Sequence, residues 1–394
     1  MLLKFKKNYL PAMLGAAIEY YDVALYGFMA PILVKVFFPY ITKSKAYFIY
    51  FFIEFIAALF QVCGAKIFGY VGDKYGRKPA MYYSMLGTSL VTFIVSMLPT
   101  YNDIGIVATI AFVLSRLLQS FFLGGEYNGG AIYCLEHTKN NKGFISGIYC
   151  SFTVLGIVVA SFVAYLISKF GAEYFRYAYY LSFILAILTV FMRKDIKETP
   201  EYKAKPNSNS KLIFIYDICL ASMYFGILYG LPSKILSVIL PLHSGISQSH
   251  IMLINALSLI IYMICLSIFG YISDKIGFKK QMRIAVIFTV ILIYPLTMML
   301  SIKSLIIVLV VKTIFMLMAA LYIAPFHAYA QDLSQSISRY KSISVSYTTG
   351  KCASTLLLSG TILLYEFFIS IIAPVSILFL LSILILNRYR YEKS

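Results

Sequence analysis

Long apolar runs are the feature that most limits what this chain can fold into. Taking about 20 consecutive apolar residues as enough to cross a bilayer, we find twelve such runs, separated by short polar loops. The chain is 60% hydrophobic and 13% charged, with a mean hydropathy of +0.82. A water-soluble protein of 394 residues has no interior large enough to hide this much apolar surface. The sequence therefore predicts an all-α integral membrane protein.

The twelve predicted transmembrane helices form two groups of six. They lie roughly at 9–36, 46–72, 79–99, 104–135, 143–168, 174–192, 212–241, 249–273, 281–301, 304–328, 341–366 and 369–387. Between the two groups lies a polar, charged stretch that contains Pro-Asn-Ser-Asn-Ser, a composition typical of a linker. We therefore predict an N-terminal six-helix bundle over 1–192, a linker over 193–211 and a C-terminal six-helix bundle over 212–394.

A short charged motif between two apolar runs occurs twice. The first copy, over 69–78, reads Gly-Tyr-Val-Gly-Asp-Lys-Tyr-Gly-Arg-Lys, and the second, over 270–279, reads Gly-Tyr-Ile-Ser-Asp-Lys-Ile-Gly-Phe-Lys. Small residues three apart let two helices approach closely, and the Asp can accept hydrogen bonds from a neighbouring helix N-terminus. A single copy would also suit a simple charged turn, whereas two copies in matching context indicate two similar halves. The residues singled out in the motif are Gly69, Gly72, Asp73, Gly76, Arg77, Asp274, Lys275 and Gly277.

The formal charge of +18 does not indicate a nucleic-acid partner, because the cations lie in short loops instead of forming one basic face. Most of the 34 Lys and Arg residues lie before the first span, after even-numbered spans or in the C-terminal tail, which predicts cytoplasmic termini. The six cysteines and four histidines show no metal-ligand spacing. No phosphate-binding loop, dinucleotide fingerprint or catalytic elbow is present. We therefore expect no cofactor, no metal and no enzymatic activity.

Two carboxylates lie one turn apart on the first predicted span. Gly15, Glu19, Asp22 and Tyr26 share one helical face. Neighbouring carboxylates in a low dielectric repel each other, so one of the pair is expected to hold a proton near neutral pH. That arrangement suits a proton carrier. A buried pair neutralised by a cation and used only for packing fits the same pattern.

The fourth span carries Arg116 and Gln119 on one face, followed by Glu126 among several glycines that permit either close helix contact or a helix break. Arg116 can bind a carboxylate through both prongs of its guanidinium, or form an ion pair with Glu19 or Asp22. A purely structural Arg is the alternative. Lys312 in the tenth span is either a second anchor for an anionic group or a cation that reaches to the membrane surface.

These stretches resemble the metabolite:proton symporters of the major facilitator superfamily, a branch that includes proline/betaine transporters and α-ketoglutarate permeases. The resemblance rests on the first span from Gly15 to Gly27, on the fourth span from Arg116 to Gly129, and on the repeated loop motif. It covers essentially the whole chain and is strong in the first half. The chain departs from the branch pattern at Ala16, where Asn is usual, and at Ser120, where Gly is usual.

The resemblance implies a major facilitator fold of twelve transmembrane helices in two pseudo-symmetric six-helix bundles. Substrate would bind between the bundles near mid-membrane, and access would alternate by rocking. The implied function is proton-coupled import of a small polar metabolite, most like a proline or betaine zwitterion, across a bacterial inner membrane. The alternatives are an organic-acid symporter and, from another class, a receptor or scaffold. The expected partners are a small-molecule substrate, a proton and the lipid bilayer. The chain is expected to be a monomer.

The expected transport function gives particular residues expected roles in proton coupling, substrate binding and gating. Proton coupling is expected of Glu19, Asp22 and Glu126. Substrate binding is expected of Tyr20, Tyr21, Tyr26, Arg116, Gln119 and Lys312, with the aromatic faces suited to a quaternary ammonium. The resemblance also implies a gate, in which Asp73 contacts Arg77 and the start of the eleventh helix. Asp274 would make the same contact with the start of the fifth helix near Gly143.

Overall fold

The structure is a computed structural model of the chain. It describes residues 9–202, 212–237, 248–300, 302, 304–334, 338–368 and 372–391. Residues 203–211 of the predicted linker lie outside this described part. The described residues form helices and the turns between them, with no β-strand among them.

The first half of the sequence forms helices α1 to α8. Their bounds are α1 Leu10–Phe28, α2 Ala30–Phe37, α3 Lys43–Lys74, α4 Arg77–Met97, α5 Tyr101–Ile104, α6 Ile106–Glu136, α7 Lys142–Phe170 and α8 Phe175–Lys194. The second half forms helices α9 to α15. Their bounds are α9 Leu212–Gly230, α10 Gln248–Ile276, α11 Phe278–Met299, α12 Leu305–Ile323, α13 Phe326–Leu333, α14 Arg339–Phe368 and α15 Ile372–Tyr391. A π-helical turn, Leu231–Ile235, follows α9.

Described helices lie in each of the twelve predicted runs, and the predicted all-α membrane fold is confirmed. Residues 238–241, 301 and 369–371 of these runs lie outside the described part. Within the described ranges, eight helical spans are long and apolar enough to cross a membrane, and the bent pair of α1 and α2 makes a ninth. A bilayer offers no water to backbone amides, so each span must satisfy its own hydrogen bonds, which a helix does.

The chain divides into two compact units. Unit 1 comprises Met1–His137, Phe152–Lys211 and Ser334–Thr348, and unit 2 comprises Thr138–Ser151, Leu212–Leu333 and Thr349–Ser394. Each unit therefore includes one short segment from the other half of the sequence, namely the start of α14 in unit 1 and the start of α7 in unit 2. The predicted domain boundaries stay a prediction.

Prolines interrupt two of the predicted spans, because proline lacks the backbone donor that a helix interior needs. Helices α1 and α2 meet at an angle of 66°, with Pro31 in the first turn of α2. Helices α12 and α13 separate at Pro325. The carbonyl of Leu321, left without its usual helical donor, accepts a hydrogen bond of 3.0 Å from the fully buried Gln281 side chain.

Glycines let α6 pack directly on the backbone of α3. A Cβ added at Gly124 would lie 2.3 Å from the carbonyl oxygen of Gln61, and one at Gly64 would lie 1.7 Å from that of Phe121. No side chain fits at such distances, and α6 runs unbroken from Ile106 to Glu136. The glycines of the fourth span thus serve close contact and do not break the helix. This contact brings the polar side chains of α3 and α6 together.

Candidate functional site

Asp22 of α1 lies in a buried polar cluster of unit 1. Its carboxylate accepts hydrogen bonds from Thr92 of α4 at 3.0 Å, from Gln119 of α6 at 3.3 Å and from the hydroxyl of Ser182 of α8. The residue is 1% exposed. A buried carboxylate is costly unless donors replace its water. Donors from three different helices meet that need for Asp22.

Arg116 of α6 lies beside this cluster and is also buried. Its Nη1 donates to Gln119 Oε1 at 2.9 Å, and its Nη2 donates to Glu54 Oε1 at 2.6 Å. The guanidinium carbon lies 4.2 Å from the centre of the Tyr26 ring. The sequence suggested Glu19 or Asp22 as the ion-pair partner of Arg116, but the structure shows Glu54 of α3. Gln119 stands between Arg116 and Asp22, because its amide bonds to both side chains.

Of the three carboxylates predicted for proton coupling, Asp22 and Glu126 are held by different partners. Glu19 lies one turn before Asp22 on α1 and is 1% exposed. Glu126 of α6 forms an ion pair with Arg193 of α8, in which both side chains are fully buried, and also accepts a hydrogen bond of 3.1 Å from Ser84. Glu126 is therefore held by partners different from those of Asp22. The coupling roles of all three residues stay predictions.

The three predicted substrate-binding tyrosines differ in exposure. Tyr21 is buried and donates its hydroxyl to the carbonyl of Ala178 at 3.0 Å. Tyr26 is buried, and its ring stacks on Tyr50 with centroids 4.2 Å apart. Tyr20 keeps partial exposure, and its ring lies 5.1 Å from that of Tyr127. In this conformation Tyr20 is the one of the three that offers accessible surface.

Lys312 of α12 belongs to unit 2 and is fully buried. Its Nζ donates to the hydroxyl oxygen of Ser237 at 2.9 Å, and the same oxygen accepts a hydrogen bond from Asn255 at 2.8 Å. The side chain therefore does not reach a membrane surface, which was one of its two predicted arrangements. Within the described residues, no group of His, Cys, Asp and Glu is arranged to hold a metal ion.

The first copy of the repeated motif places Asp73 on the N-terminus of α14. The Asp73 carboxylate accepts hydrogen bonds from the backbone amides of Tyr340 and Lys341, both at 3.0 Å, and from Arg77 Nη1 at 3.0 Å. The predicted contacts of Asp73 are therefore present. Gly69 and Gly72 allow this approach, because a Cβ at either would lie within 2.6 Å of Lys341 or Tyr340. The gating role of Asp73 stays a prediction.

A network of buried charges surrounds the first copy. Arg77 binds Glu136 through both Nε and Nη2, at 3.2 and 3.1 Å. Arg339 joins the network through Glu136 at 2.9 Å. Glu198 accepts hydrogen bonds from the amides of Arg77 and Lys78 at 3.0 and 3.1 Å, at the start of α4. The negative charge of Glu198 suits that helix N-terminus.

The second copy repeats the same cap with fewer charges. Asp274 accepts hydrogen bonds from the amides of Gly143 at 2.8 Å and Phe144 at 2.9 Å, at the start of α7 as predicted. Phe278 stands where the first copy has Arg77. Lys275 is exposed, with its Nζ 4.6 Å from the centre of the Tyr271 ring.

The final glycine of each motif copy has a backbone conformation that side chains rarely adopt. Gly76 has φ +118° and Gly277 has φ +92°, each directly before the helix that follows the motif. A residue with a Cβ would be strained at either place. The two glycines therefore share a structural reason for their position in the repeat.

Several residues of these sites were missing from the predicted set. Glu54 left a signal, since it is an ionisable residue inside an apolar run. Glu136, Glu198 and Arg339 left little signal, because they lie at span ends or in loops, where charged residues are ordinary. Ser182 is one of many hydroxyl residues in the spans, and nothing in its local sequence distinguishes it.

The family comparison agrees with this geometry. The sequence model described as Major Facilitator Superfamily matches residues 12–357. The structure is similar to that of the proton:xylose symporter XylE bound to 6-bromo-6-deoxy-D-glucose, with a TM-score of 0.81, 15% identity and coverage of 98% of this chain and 95% of that chain. It is also similar to the human organic anion transporter MFSD10, with a TM-score of 0.72, 12% identity and 98% coverage of both chains. At these identities the likeness concerns the fold alone.

Three curated relatives that are at least 32% identical match over about half of the chain. A proline/betaine transporter of Salmonella typhimurium is 34% identical over 51% of this chain and 41% of its own length. The proline/betaine transporter of Escherichia coli K12 and a glycine betaine/proline/ectoine/pipecolic acid transporter of Dickeya dadantii are each 32% identical, with the same coverage. The matched part of the chain thus spans less than half the length of these relatives.

The family contains membrane transporters and not enzymes, which agrees with the expectation of no enzymatic activity. The matched residues 12–357 run from the first helix into α14 and include both copies of the charged motif and the Asp22 cluster. This multi-pass membrane protein therefore belongs to the major facilitator superfamily.

Proposed function

We propose that the chain is a proton-coupled secondary transporter that imports a small zwitterion of the proline or betaine type by alternating access. The observation that carries the proposal is Arg116, a buried guanidinium in an ion pair with a partly exposed carboxylate. A planar guanidinium fork is suited to holding a carboxylate in two parallel hydrogen bonds. The carboxylate of such a zwitterion is the group that Arg116 would bind.

The surroundings of Arg116 support a substrate of modest size with one carboxylate. Gln119 and Tyr26 fix the guanidinium from two sides, by a hydrogen bond of 2.9 Å and by a ring face at 4.2 Å. Tyr20 offers a partly exposed ring on α1, and aromatic faces attract quaternary ammonium groups. The names of the curated relatives point to the same class of substrate.

An organic-acid symporter is the second candidate, and Lys312 is the observation that favours it. This fully buried ammonium bonds to the Ser237 hydroxyl. A buried ammonium suits an acidic ligand, and α-ketoglutarate carries one more carboxylate than proline or betaine. A receptor or scaffold without transport is the alternative from another class.

The wider setting belongs to the same proposal. We place the chain in a bacterial inner membrane as a monomer, with both termini in the cytoplasm, where the loops rich in Lys and Arg would lie. Two six-helix bundles over 1–192 and 212–394 would move against each other during the cycle. Asp73 and Asp274, each capping a helix start, would hold the cytoplasmic side closed.

The test is uptake into proteoliposomes that contain the purified chain. Labelled proline, glycine betaine and α-ketoglutarate are compared with and without an imposed pH gradient, together with exchange between preloaded vesicles. We expect gradient-driven accumulation of proline or glycine betaine. Arg116→Lys should lose both accumulation and exchange, because a point charge does not reproduce the fork.

Arg176→Lys is the matched control. Arg176 is partly exposed and donates to the carbonyl of Leu98 at 2.9 Å, away from the Asp22 cluster, so this variant should transport like the unmodified chain. Accumulation of α-ketoglutarate alone would favour the organic-acid candidate. A lack of transport and exchange for all three compounds would favour the receptor or scaffold.

A further inference from the structure

Glu54 is the carboxylate of α3 that the sequence pattern alone did not place in the site. It lies within the second apolar run, where an unpaired charge would be strongly unfavourable. Its Oε1 pairs with Arg116 Nη2 at 2.6 Å, and its side chain keeps 27% of its surface exposed, against 3% for Arg116. A hydrogen-bonded row therefore leads from Glu54 through Arg116 and Gln119 to Asp22.

The other carboxylates of this region are more firmly enclosed. Asp22 is 1% exposed and takes hydrogen bonds from three helices. Glu126 is fully buried against Arg193 and also bonds to Ser84. Glu19 is 1% exposed. Of these four carboxylates, Glu54 is the one that combines accessible surface with a contact to the proposed substrate-binding cation.

The guanidinium of Arg116 has hydrogen-bonding capacity that its described neighbours do not fill. Glu54 contacts Nη2 through one oxygen, and Gln119 takes Nη1. The third nitrogen, Nε, is buried without a hydrogen-bond partner among the described residues. A buried donor without an acceptor is destabilising. The edge formed by Nε and Nη2 is the edge that a carboxylate binds with both oxygens, so the site can take a better-fitting carboxylate than Glu54.

We propose that Glu54 is the group that couples substrate to protons, an inference that rests on the function proposed above. The substrate carboxylate takes the Nε and Nη2 edge of Arg116 and displaces Glu54. A displaced carboxylate in this low-dielectric setting is costly as an anion, so Glu54 takes one proton from solution. Before binding the site holds Arg116⁺ and Glu54⁻; afterwards it holds Arg116⁺, the substrate carboxylate and neutral Glu54. One proton therefore accompanies each substrate, and release reverses both steps.

The groups that face Glu54 and Arg116 are consistent with this exchange. The Tyr26 ring of α1 covers one side of the guanidinium, and Tyr50 of α3 bonds to the Tyr26 carbonyl at 2.7 Å. Tyr179 of α8 belongs to the same buried cluster as these two rings. Phenols stay neutral at physiological pH. Among the described residues, Asp22 is the further carboxylate of this hydrogen-bonded row, and it is held by its own donors.

The experiment measures protons and binding together on the purified full chain. Proline and glycine betaine are the probes, in weakly buffered solution with a pH indicator. For the unmodified chain we expect about one proton taken up per bound substrate. Because one proton is taken up with each substrate, affinity should weaken as the pH rises, toward about tenfold per pH unit. Glu54→Gln should bind without proton uptake and with little dependence on pH, and should lose accumulation driven by a pH gradient.

Two further variants keep the test decisive. Glu54→Asp retains a titratable group, so it should still take up a proton per substrate, even if Glu54→Gln folds poorly. Glu173→Gln changes an exposed carboxylate outside the site and should keep the proton uptake of the unmodified chain. Proton uptake by a folded Glu54→Gln, or its loss in Glu54→Asp that still binds, would overturn the inference while leaving the proposed transporter intact. An unmodified chain that binds neither probe would instead remove the proposed function, and this inference with it.

Discussion

The two copies of the charged motif form the same kind of helix cap in different electrostatic surroundings. Asp73 and Asp274 each accept hydrogen bonds from two successive amides at a helix start, at 3.0 Å in the first copy and at 2.8 and 2.9 Å in the second. Asp73 is 4% exposed and also binds Arg77, whereas Asp274 is only partly buried. The cap is the same, and its surroundings differ.

The difference begins at a single position of the motif. Arg77 binds both Asp73 and Glu136 and so links the two carboxylates, and Glu136 in turn binds Arg339. Phe278 in the second copy has no charge with which to build such a network. The motif therefore specifies the helix cap, and the cation at position 77 makes the first cap part of a buried ionic network.

Of the substitutions considered for the two copies, exchanging the residues at this position should have the largest effect on the stability of the protein. Arg77→Phe gives the first copy the residue of the second and leaves Glu136 without its two-pronged partner. Breaking a buried ion pair costs about 3–5 kcal/mol. Phe278→Arg should change stability by less than about 0.5 kcal/mol, because that position is partly exposed. Thermal unfolding of the purified protein in detergent measures both.

The double variant Arg77→Phe with Glu136→Gln is the control for this exchange. It removes the carboxylate that Arg77→Phe leaves buried, and it should recover part of the lost stability. Equal losses in Arg77→Phe and Phe278→Arg would contradict the proposed difference between the two copies.

Removing the capping charge should have a smaller effect. Asp73→Asn keeps the volume but loses the attraction to the N-terminus of α14, worth about 0.3–2 kcal/mol. The cost of Asp274→Asn should fall at the low end of that range, because Asp274 is partly exposed. Amide hydrogen exchange should rise up to about thirtyfold at Tyr340 and Lys341 in the first variant. At Gly143 and Phe144 in the second variant, the rise should be only a few-fold. A larger rise at α7 than at α14 would reverse this ranking.

The smallest effect is expected at Glu198, the carboxylate that caps α4 beside the first copy. Glu198→Gln keeps the acceptor oxygen but loses the charge, at a cost of about 0.3–1 kcal/mol. Hydrogen exchange at the start of α4 should rise a few-fold, while exchange at the start of α11 should not change. Glu173→Gln, at an exposed position, serves as the matched control. Unchanged exchange at Arg77 and Lys78 would show that the charge contributes nothing to this cap.

The helical-face pattern of the first span placed Asp22 correctly inside, but it did not identify the partner of Arg116. That partner is Glu54, which is 62 positions away in the sequence. Likewise, Glu126 pairs with Arg193, 67 positions away. A pattern along one helix indicates which side chains point inward. The pattern along one helix carries no information on the rotation and depth of the neighbouring helix. Those two quantities determine which inward-facing side chains contact each other.

The amino-acid pattern was sufficient for the membrane class and the twelve helical runs, because an apolar run in lipid must close its own backbone hydrogen bonds. It also marked Asp73 and Asp274 as side chains suited to a helix N-terminus, while the family resemblance indicated which distant helices they cap. Tertiary structure alone decided that Arg116 binds Glu54, that Asp22 is held by Thr92 and Ser182, and that the glycines of α6 serve contact with α3. Each of these depends on how closely two distant segments approach, and backbone contact at Gly64 and Gly124 sets that distance for α3 and α6.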